Sequence, residues 1–484
     1  MLEAAADSEI ARAAVSVRLG SILAAAGCGK TEQIAIATLE SPGRRLILTH
    51  SHAGVDVLRQ RLKKLSVPRR RFRLETIAGW CLRYASSFPT RSGLQKFDPR
   101  AEGEWNEVYR SGAQLISSGA IDSVLSTSYS GVFVDEYQDC SLEQHNVVTA
   151  LSRLLPVCVF GDPLQAIFDF KGQRPVDWAT HVYPTFAKAG ELTTPWRWKD
   201  NSTLAVWLKK MRRAIESRGE INLAGCPDCV RWEVLPVDPR YRTNKIVEVC
   251  KRTRGKVGDG TLVVIADAAS IGARAHITQK LAKVGFSQIE PIGCTTLYNA
   301  AKQFENTQDM KHLMAVMKFI GDCMTGSSAT PYLRAVEACR KGLRKGTAEF
   351  GSLIDLGVAL LDDQTPSSRL ALLEGFYGRD DAYCFRREMY HAMRAALLIC
   401  ISRPSCLLTN ALWEVQSNAR HAGRIVGRRC VGSTLLVKGL EFDHSVLIHA
   451  PSMTRKDWYV ALTRASKTLT LLVPAQRFSL ASDR

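Results

Sequence analysis

At 484 residues the chain has room for about three domains of ordinary size, and its 46% hydrophobic and 23% charged residues describe a globular chain with a core. Disordered and fibrous classes are excluded. The longest apolar runs, such as Ala396 to Ile401, fall far short of the roughly 18 residues a membrane span needs, and Glu3, Asp7 and Glu9 interrupt any signal-peptide pattern. A cytoplasmic protein without a membrane partner is expected. A surplus of 65 Lys+Arg over 47 Asp+Glu leaves a formal net charge of +18, which points to a polyanionic partner.

In chain order, the first clear element is an apolar strand, Ser21 to Ala25, running into Ala24-Ala-Ala-Gly-Cys-Gly-Lys-Thr31 and then a helix-compatible stretch, Thr31 to Leu39. Strand, Gly-rich turn and helix in that order are what a phosphate-binding loop requires. Gly27 and Gly29 let backbone N–H groups approach phosphate, Lys30 reaches the outer oxygens, Thr31 can ligate Mg²⁺, and the helix N-terminus favours an anion. Ala24 stands where the general pattern has its first Gly.

A second strand is predicted over Arg45 to Thr49, and Val55, Leu58, Leu62 and Leu65 then trace one helical face. Arg59 to Arg73 carries eight basic residues and no acid, which fits a duplex grip, a partner surface or a solvated face. Further strands are predicted over Gly131 to Val134 and Val157 to Phe160. The first of these delivers two carboxylates at its end, in Val132-Phe-Val-Asp-Glu-Tyr-Gln-Asp139. Nucleotide hydrolysis needs such a pair, Asp135 to hold the Mg²⁺ shell and Glu136 to polarise the attacking water.

Fourteen cysteines are scattered without a framework, several inside apolar runs, as in a reducing compartment. Cys226-Pro-Asp-Cys229 has no second pair at zinc spacing and reads as a turn. Later strands are predicted over Leu262 to Ala266, His444 to His449 and Thr468 to Val473, while residues 326 to 427 lack buried-strand runs and read as a helical insertion. The class is α/β, with two sheets.

These motifs, with Phe160-Gly-Asp-Pro-Leu-Gln-Ala-Ile-Phe-Asp-Phe170, Leu192-Thr-Thr-Pro-Trp-Arg197, Lys438-Gly-Leu-Glu-Phe442 and Trp458-Tyr-Val-Ala-Leu-Thr-Arg464, fall in the order of the UvrD/Rep-type superfamily 1A DNA helicases, which the chain resembles in short islands from Ser21 to Leu472. The resemblance implies two RecA-like P-loop domains with short, mainly helical insertions and ATP between them. On that pattern the first domain takes residues 1–79 and 131–190, with an insertion at 80–130. The second takes 191–325 and 429–484, with an insertion at 326–428.

The resemblance also assigns roles. Ala26, Gly27, Cys28, Gly29, Lys30 and Thr31 would cradle ATP, with Mg²⁺ on Thr31 and Asp135. Trp196 would stack on adenine, Glu441 would contact the ribose, and Arg197, Gly439 and Arg464 would also belong to the ATP site. Lys30, Glu136 and Gln165 from the first domain, with Arg197 and Arg464 from the second, would form the catalytic set. Arginines that neutralise transition-state charge in this way are worth about 10³ to 10⁵ in rate. Single-stranded DNA would lie on Thr49, His50, Thr76, Phe168, Phe170 and Lys171, because such tracks combine cations with aromatic platforms worth about 1 to 3 kcal/mol per stacked base.

The sequence departs from the family in several places. No convincing Gln precedes the phosphate loop at the adenine-reading position, apolar Leu435 and Leu436 replace common polar DNA contacts, Ala78 replaces a His, and Lys171 stands for an Arg. The short insertions also resemble, more weakly, helicase-like subunits of bacterial anti-phage defence systems of the Gabija type. The leading expectation is an ATP-dependent helicase or translocase moving 3′ to 5′ on single-stranded or partially duplex DNA, in repair or defence. The alternative is a nucleotide-binding regulatory subunit that docks a nuclease partner. DNA and RNA are not distinguished by these residues.

Overall fold

The computed structural model describes residues 2–95, 98–99, 102–168, 175–291, 293–343, 349–422 and 426–481. The chain divides into two compact units. One comprises Met1–Ile221, Thr454–Lys467 and Ser479–Arg484, the other Asn222–Met453 and Thr468–Phe478.

The first unit is organised by a six-stranded sheet of β1 (Leu19–Ala24), β2 (Arg45–Thr49), β3 (Phe72–Thr76), β4 (Gly131–Asp135), β5 (Val157–Gly161) and β6 (Ala187–Leu192), in the order β3-β2-β4-β5-β1-β6. Every neighbouring pair is parallel. All five residues of β2, β4 and β5 are buried, which is why these strands read as unbroken apolar runs rather than as alternations. The pleat divides their side chains between two cores. Ile47, Phe133 and Phe160 face one, with Ile34, Leu58 and Leu62 from the helices after β1 and β2. Leu46, Leu48, Val132, Val134 and Val159 face the other, with Trp80 and Val147. Each such side chain contributes about 1.5 to 3 kcal/mol on burial.

The predicted helical face is observed. Helix His52–Lys64 buries Val55, Leu58 and Leu62, starts at Ser51, whose hydroxyl accepts the Gly54 N–H at 3.1 Å, and places Arg61, Lys63 and Lys64 in its last turn, where cations complement the helix dipole. Between β3 and β4 the chain is helical: Ile77–Ser87, Pro89–Ser92, Glu102–Ser117 and Asp122–Ser128.

The short strands β7 (Ile221–Asn222) and, near the end of the chain, Arg477–Phe478 belong to neither large sheet. The second sheet consists of β8 (Val230–Val234), β9 (Leu262–Ile265), β10 (Ser287–Gln288), β11 (Arg429–Gly432), β12 (Phe442–Ile448) and β13 (Ala465–Val473), in the order β10-β11-β9-β12-β13-β8. The β10/β11, β11/β9, β9/β12 and β13/β8 pairs are parallel. Two parallel sheets clad by helices make the protein α/β, as expected of RecA-like domains with mainly helical insertions.

Between β10 and β11 the second unit carries a separate helical core. It contains Leu297, Phe304, Val316, Phe319, Tyr332, Leu372, Phe376, Met393 and Leu412. Helices Thr295–Asn306 and Asp309–Cys323 contribute to it along with the later helices Ala329–Arg340, Leu353–Asp363, Pro366–Tyr377, Arg387–Ser402 and Leu408–Ala422. No described helix is long and apolar enough to cross a membrane.

Candidate nucleotide site

Because all six strands of the first sheet run parallel, their C-terminal ends open on one edge, where α/β sheets hold ligands. Thr49 pairs in register with Asp135 on one side and Thr76 on the other, so three motif segments end side by side. Beyond β1 the chain turns through Gly27 and Gly29, at φ +75° and +79°, into helix Lys30–Glu40. A Cβ at Gly27 would lie 2.8 Å from Trp198 and 2.9 Å from the Arg197 Cβ, and one at Gly29 would lie 3.0 Å from Trp196. Glycine is needed at both positions twice over, for the left-handed backbone and for the close approach of these side chains.

The Lys30 Nζ sits 2.8 Å from Asp135 Oδ1 and 2.6 Å from Glu136 Oε1. Burial opposes the ammonium charge, but the two carboxylates outweigh it and hold Lys30 above the usual lysine range. Burial raises Asp135, with Lys30 opposing and Glu136 reinforcing the shift. Glu136 adopts φ +52°, rare for a residue with a Cβ, and two hydrogen bonds hold the turn: its N–H donates to Asp135 Oδ1 at 2.8 Å, and Gln138 Nε2 donates to Glu136 Oε2 at 2.5 Å. The Gln138 Oε1 accepts the Asp162 N–H at 3.1 Å, which ties the end of β4 to the end of β5.

Gln165 donates through Nε2 to Asp162 Oδ2 at 3.1 Å, and Arg212 Nη1 reaches the same oxygen at 2.9 Å. Arg212 belongs to helix Ser202–Glu216 and also donates to the Tyr459 hydroxyl at 2.6 Å. The Tyr459 hydroxyl in turn accepts the Ala26 N–H of the phosphate loop at 3.0 Å.

Arg197 and Arg464, expected from a second domain, lie in the first unit. Both bond Thr463: Arg197 Nη1 donates to its carbonyl at 2.8 Å and Arg464 Nη2 to its hydroxyl at 2.9 Å. The Arg197 N–H also donates to the Gly27 carbonyl at 3.1 Å. Arg464 is 2% exposed, and from the turn that follows helix Arg455–Leu462 its Nε donates back to the Val460 carbonyl of that helix. Trp198 Nε1 donates to the Ala465 carbonyl at 2.8 Å, while the neighbouring Trp196 is 40% exposed beside Gly29. Cys28 is buried in the loop. Gly439, at φ +78°, and exposed Glu441 belong to the second unit.

Among the residues expected at DNA, His50 and Phe168 are brought together, their ring centroids 5.3 Å apart, and His50 Nδ1 lies 3.4 Å from Gln144 Oε1. Thr49 is fully buried. The Thr76 hydroxyl is used as a helix cap, accepting the Gly79 N–H at 3.0 Å. Phe170 and Lys171 lie outside the described residues. Cys226 and Cys229 are not joined by a disulfide, and Cys226 Sγ contacts the Val230 carbonyl. No cluster of potential metal-binding His, Cys, Asp and Glu side chains occurs among the described residues.

Sequence reasoning gave no role to Gln138, Asp162, Arg212 or Tyr459. Three of them stand inside the quoted motifs and could have been singled out. Arg212 could not, because Lys209-Lys-Met-Arg-Arg213 reads as the basic face of an ordinary amphipathic helix.

Residues 113–177, which carry the Asp135-Glu136 turn and Gln165, match the family model of the UvrD/REP helicase N-terminal domain. The chain resembles the UvrD-like superfamily 1 helicases. No curated protein matches it. Among solved structures, the arterivirus nonstructural protein 10 (helicase) in complex with DNA aligns at 10% identity and a TM-score of 0.36, over 96% of this chain and 63% of that one. This chain thus spans under two thirds of that protein's length.

The site has donor chemistry that fits a magnesium nucleotide. Asp135 and Thr31 carry hard oxygen donors of the class Mg²⁺ takes and would hold such an ion, and the loop of Gly27 and Gly29 leads into a helix N-terminus.

Proposed function

We propose that the protein is an ATP-dependent DNA helicase or translocase that couples hydrolysis to movement, 3′ to 5′, along single-stranded DNA. The observation that carries this reading is the phosphate-loop Lys30 seated on the adjacent Asp135 and Glu136 carboxylates at the end of β4. Mg²⁺, held by Asp135 and Thr31, would supply neutralisation of phosphate charge. Lys30 would exchange its carboxylate partners for phosphate oxygens. Glu136 would orient water and accept its proton, and Asp135 and Thr31 would hold the ion. Gln165 would report phosphate occupancy to the neighbouring Phe168 and His50, whose rings offer a stacking surface for bases.

ATP hydrolysis stimulated by single-stranded DNA is the direct test. Lys30→Ala and Glu136→Gln should each abolish turnover, and wild-type protein with no hydrolysis on any DNA or RNA would overturn the reading. Absence of strand displacement by the chain alone, together with co-purification of a nuclease whose activity depends on nucleotide, would fit instead the nucleotide-binding subunit of a nuclease complex.

A further inference from the structure

The phosphate loop is already engaged by a side chain. The Ala26 N–H, on a loop whose backbone donors suit an anion, donates to the Tyr459 hydroxyl. That hydroxyl is not free to swing, because Arg212 Nη1 donates to it and the Arg212 guanidinium lies 5.0 Å over the Tyr459 ring. Arg212 is itself anchored to fully buried Asp162 and, at 2.9 Å, to Glu216 one helical turn away. Tyr459 is 4% exposed, so its hydroxyl serves this network rather than solvent. The hydroxyl therefore presents its oxygen to the loop N–H as an acceptor, as a phosphate oxygen would.

We propose that Tyr459, clamped by Arg212 on Asp162, is a displaceable cap on the phosphate loop that a nucleotide must lift from Ala26 in order to bind. The proposal rests on the nucleotide reading of the loop and adds to it a residue that sets affinity by competition. Arg212 is a positioning residue that acts through Tyr459. Asp162 also receives Gln165, so loosening of the cap and movement of Gln165 share one carboxylate.

Two measurements on the full chain test this. The first needs no nucleotide: amide hydrogen exchange of the peptide containing Ala26 should be faster in Tyr459→Phe than in wild type. The second is equilibrium titration with a fluorescent, non-hydrolysable ATP analogue and Mg²⁺. Tyr459→Phe keeps the ring and removes only the competing acceptor, so binding should tighten about fivefold, the effect of one ordinary hydrogen bond. Adding Arg212→Gln to Tyr459→Phe should change affinity much less than Arg212→Gln does in wild type, since a residue that acts through Tyr459 loses its effect once the hydroxyl is gone. Unchanged Ala26 exchange, or analogue affinity that is unchanged or weakened in a folded Tyr459→Phe, overturns the cap. If Tyr459→Phe does not fold, a folded Arg212→Gln, which loosens the clamp on the hydroxyl, should speed Ala26 exchange and tighten analogue binding, and wild-type values for both overturn the cap too. No binding to wild type at any analogue concentration would overturn the nucleotide reading instead, a separate outcome.

Discussion

At the scale of single residues, the site depends on a carboxylate held in an unfavourable backbone conformation. Glu136 at φ +52° carries a cost of order 1 to 3 kcal/mol that its surroundings must offset. Gln138, 1% exposed, does this by donating to Glu136 Oε2 and accepting the Asp162 N–H. Gln138→Leu would preserve volume and remove both bonds. Turnover should then fall by about tenfold, equivalent to roughly 1.4 kcal/mol of lost positioning, while affinity for nucleotide, on the proposed reading a matter of the loop, should change little. Steady-state kinetics that showed a rise in KM at constant kcat would assign Gln138 to binding instead. At this scale the sequence was informative for residues whose chemistry is local. Asp135 and Glu136 sit where a strand runs into a turn and Lys30 where a turn runs into a helix, and such junctions are readable. Arg212 sits on a helix whose charge pattern looks like solvent-facing surface, and only the fold brings it to Asp162.

At the scale of elements, the strands legible in sequence were those buried on both faces. β3 and β6 are the two edges of the first sheet, and β8 and β10 the two edges of the second. Edge strands such as Phe72-Arg-Leu-Glu-Thr76 and Ala187-Lys-Ala-Gly-Glu-Leu192 include charged residues, which blunt unwanted pairing and also erase the apolar run that marks a strand. β11 is internal but only four residues long and begins with Arg429, too short to stand out.

The helical body of the second unit is tied to its sheet by an ion pair no pattern predicts. Arg386 donates from Nε to Glu290 Oε1 at 2.5 Å and from Nη2 to Oε2 at 2.9 Å, and both side chains are buried. Arg386→Met would strand the Glu290 carboxylate and cost about 3 to 5 kcal/mol. Denaturant unfolding should register a loss of that size, and a loss under about 1 kcal/mol would mean solvent reaches Glu290. The same body contains His312, which accepts a hydrogen bond from Arg369 Nε at 3.0 Å and so must be neutral. Burial, with the Arg369 charge adding to it, pushes its pKa down to about 4. An unfolded histidine titrates near 6.5, so between those values the unfolded chain binds the extra proton and the folded chain does not. Stability should therefore fall as pH drops from about 6.5 to about 4. Thermal unfolding across this range should show a shallower slope for His312→Gln, and equal slopes would exclude His312 as the group responsible.

At the scale of the whole molecule, the charge of +18 is not held in one reserve. Within the run Arg59 to Arg73, three cations are spent internally: Arg59 pairs with Asp56, Arg61 with Glu32 and Arg73 with Glu75. Lys63, Lys64, Arg69 and Arg70 are exposed. These four lie at the end of helix His52–Lys64 and just after it, whereas His50 precedes that helix's first turn, so the exposed cations stand a helix length from the proposed base-stacking rings. If they hold DNA phosphates, replacing Lys63 and Lys64 with Gln should lower the slope of log affinity against log salt by about 1.4 on single strands, at about 0.7 per phosphate. A slope unchanged by the double substitution would assign this face to solvent.

What the sequence determined alone is the chemistry of the first sheet's open edge. Parallel strands that alternate with helices must end together, and each motif is written at the end of its own strand, so the phosphate loop, the Asp135-Glu136 pair and Gln165 are fixed locally by strand-to-turn transitions. Tertiary structure decided which distant side chains complete that edge. Tyr459 reaches Ala26 across more than four hundred residues, and Arg197 and Arg464 share Thr463 within the first unit. Such pairings depend on how helices pack, and helix packing is set by apolar shape distributed over the whole chain rather than by any local run of residues.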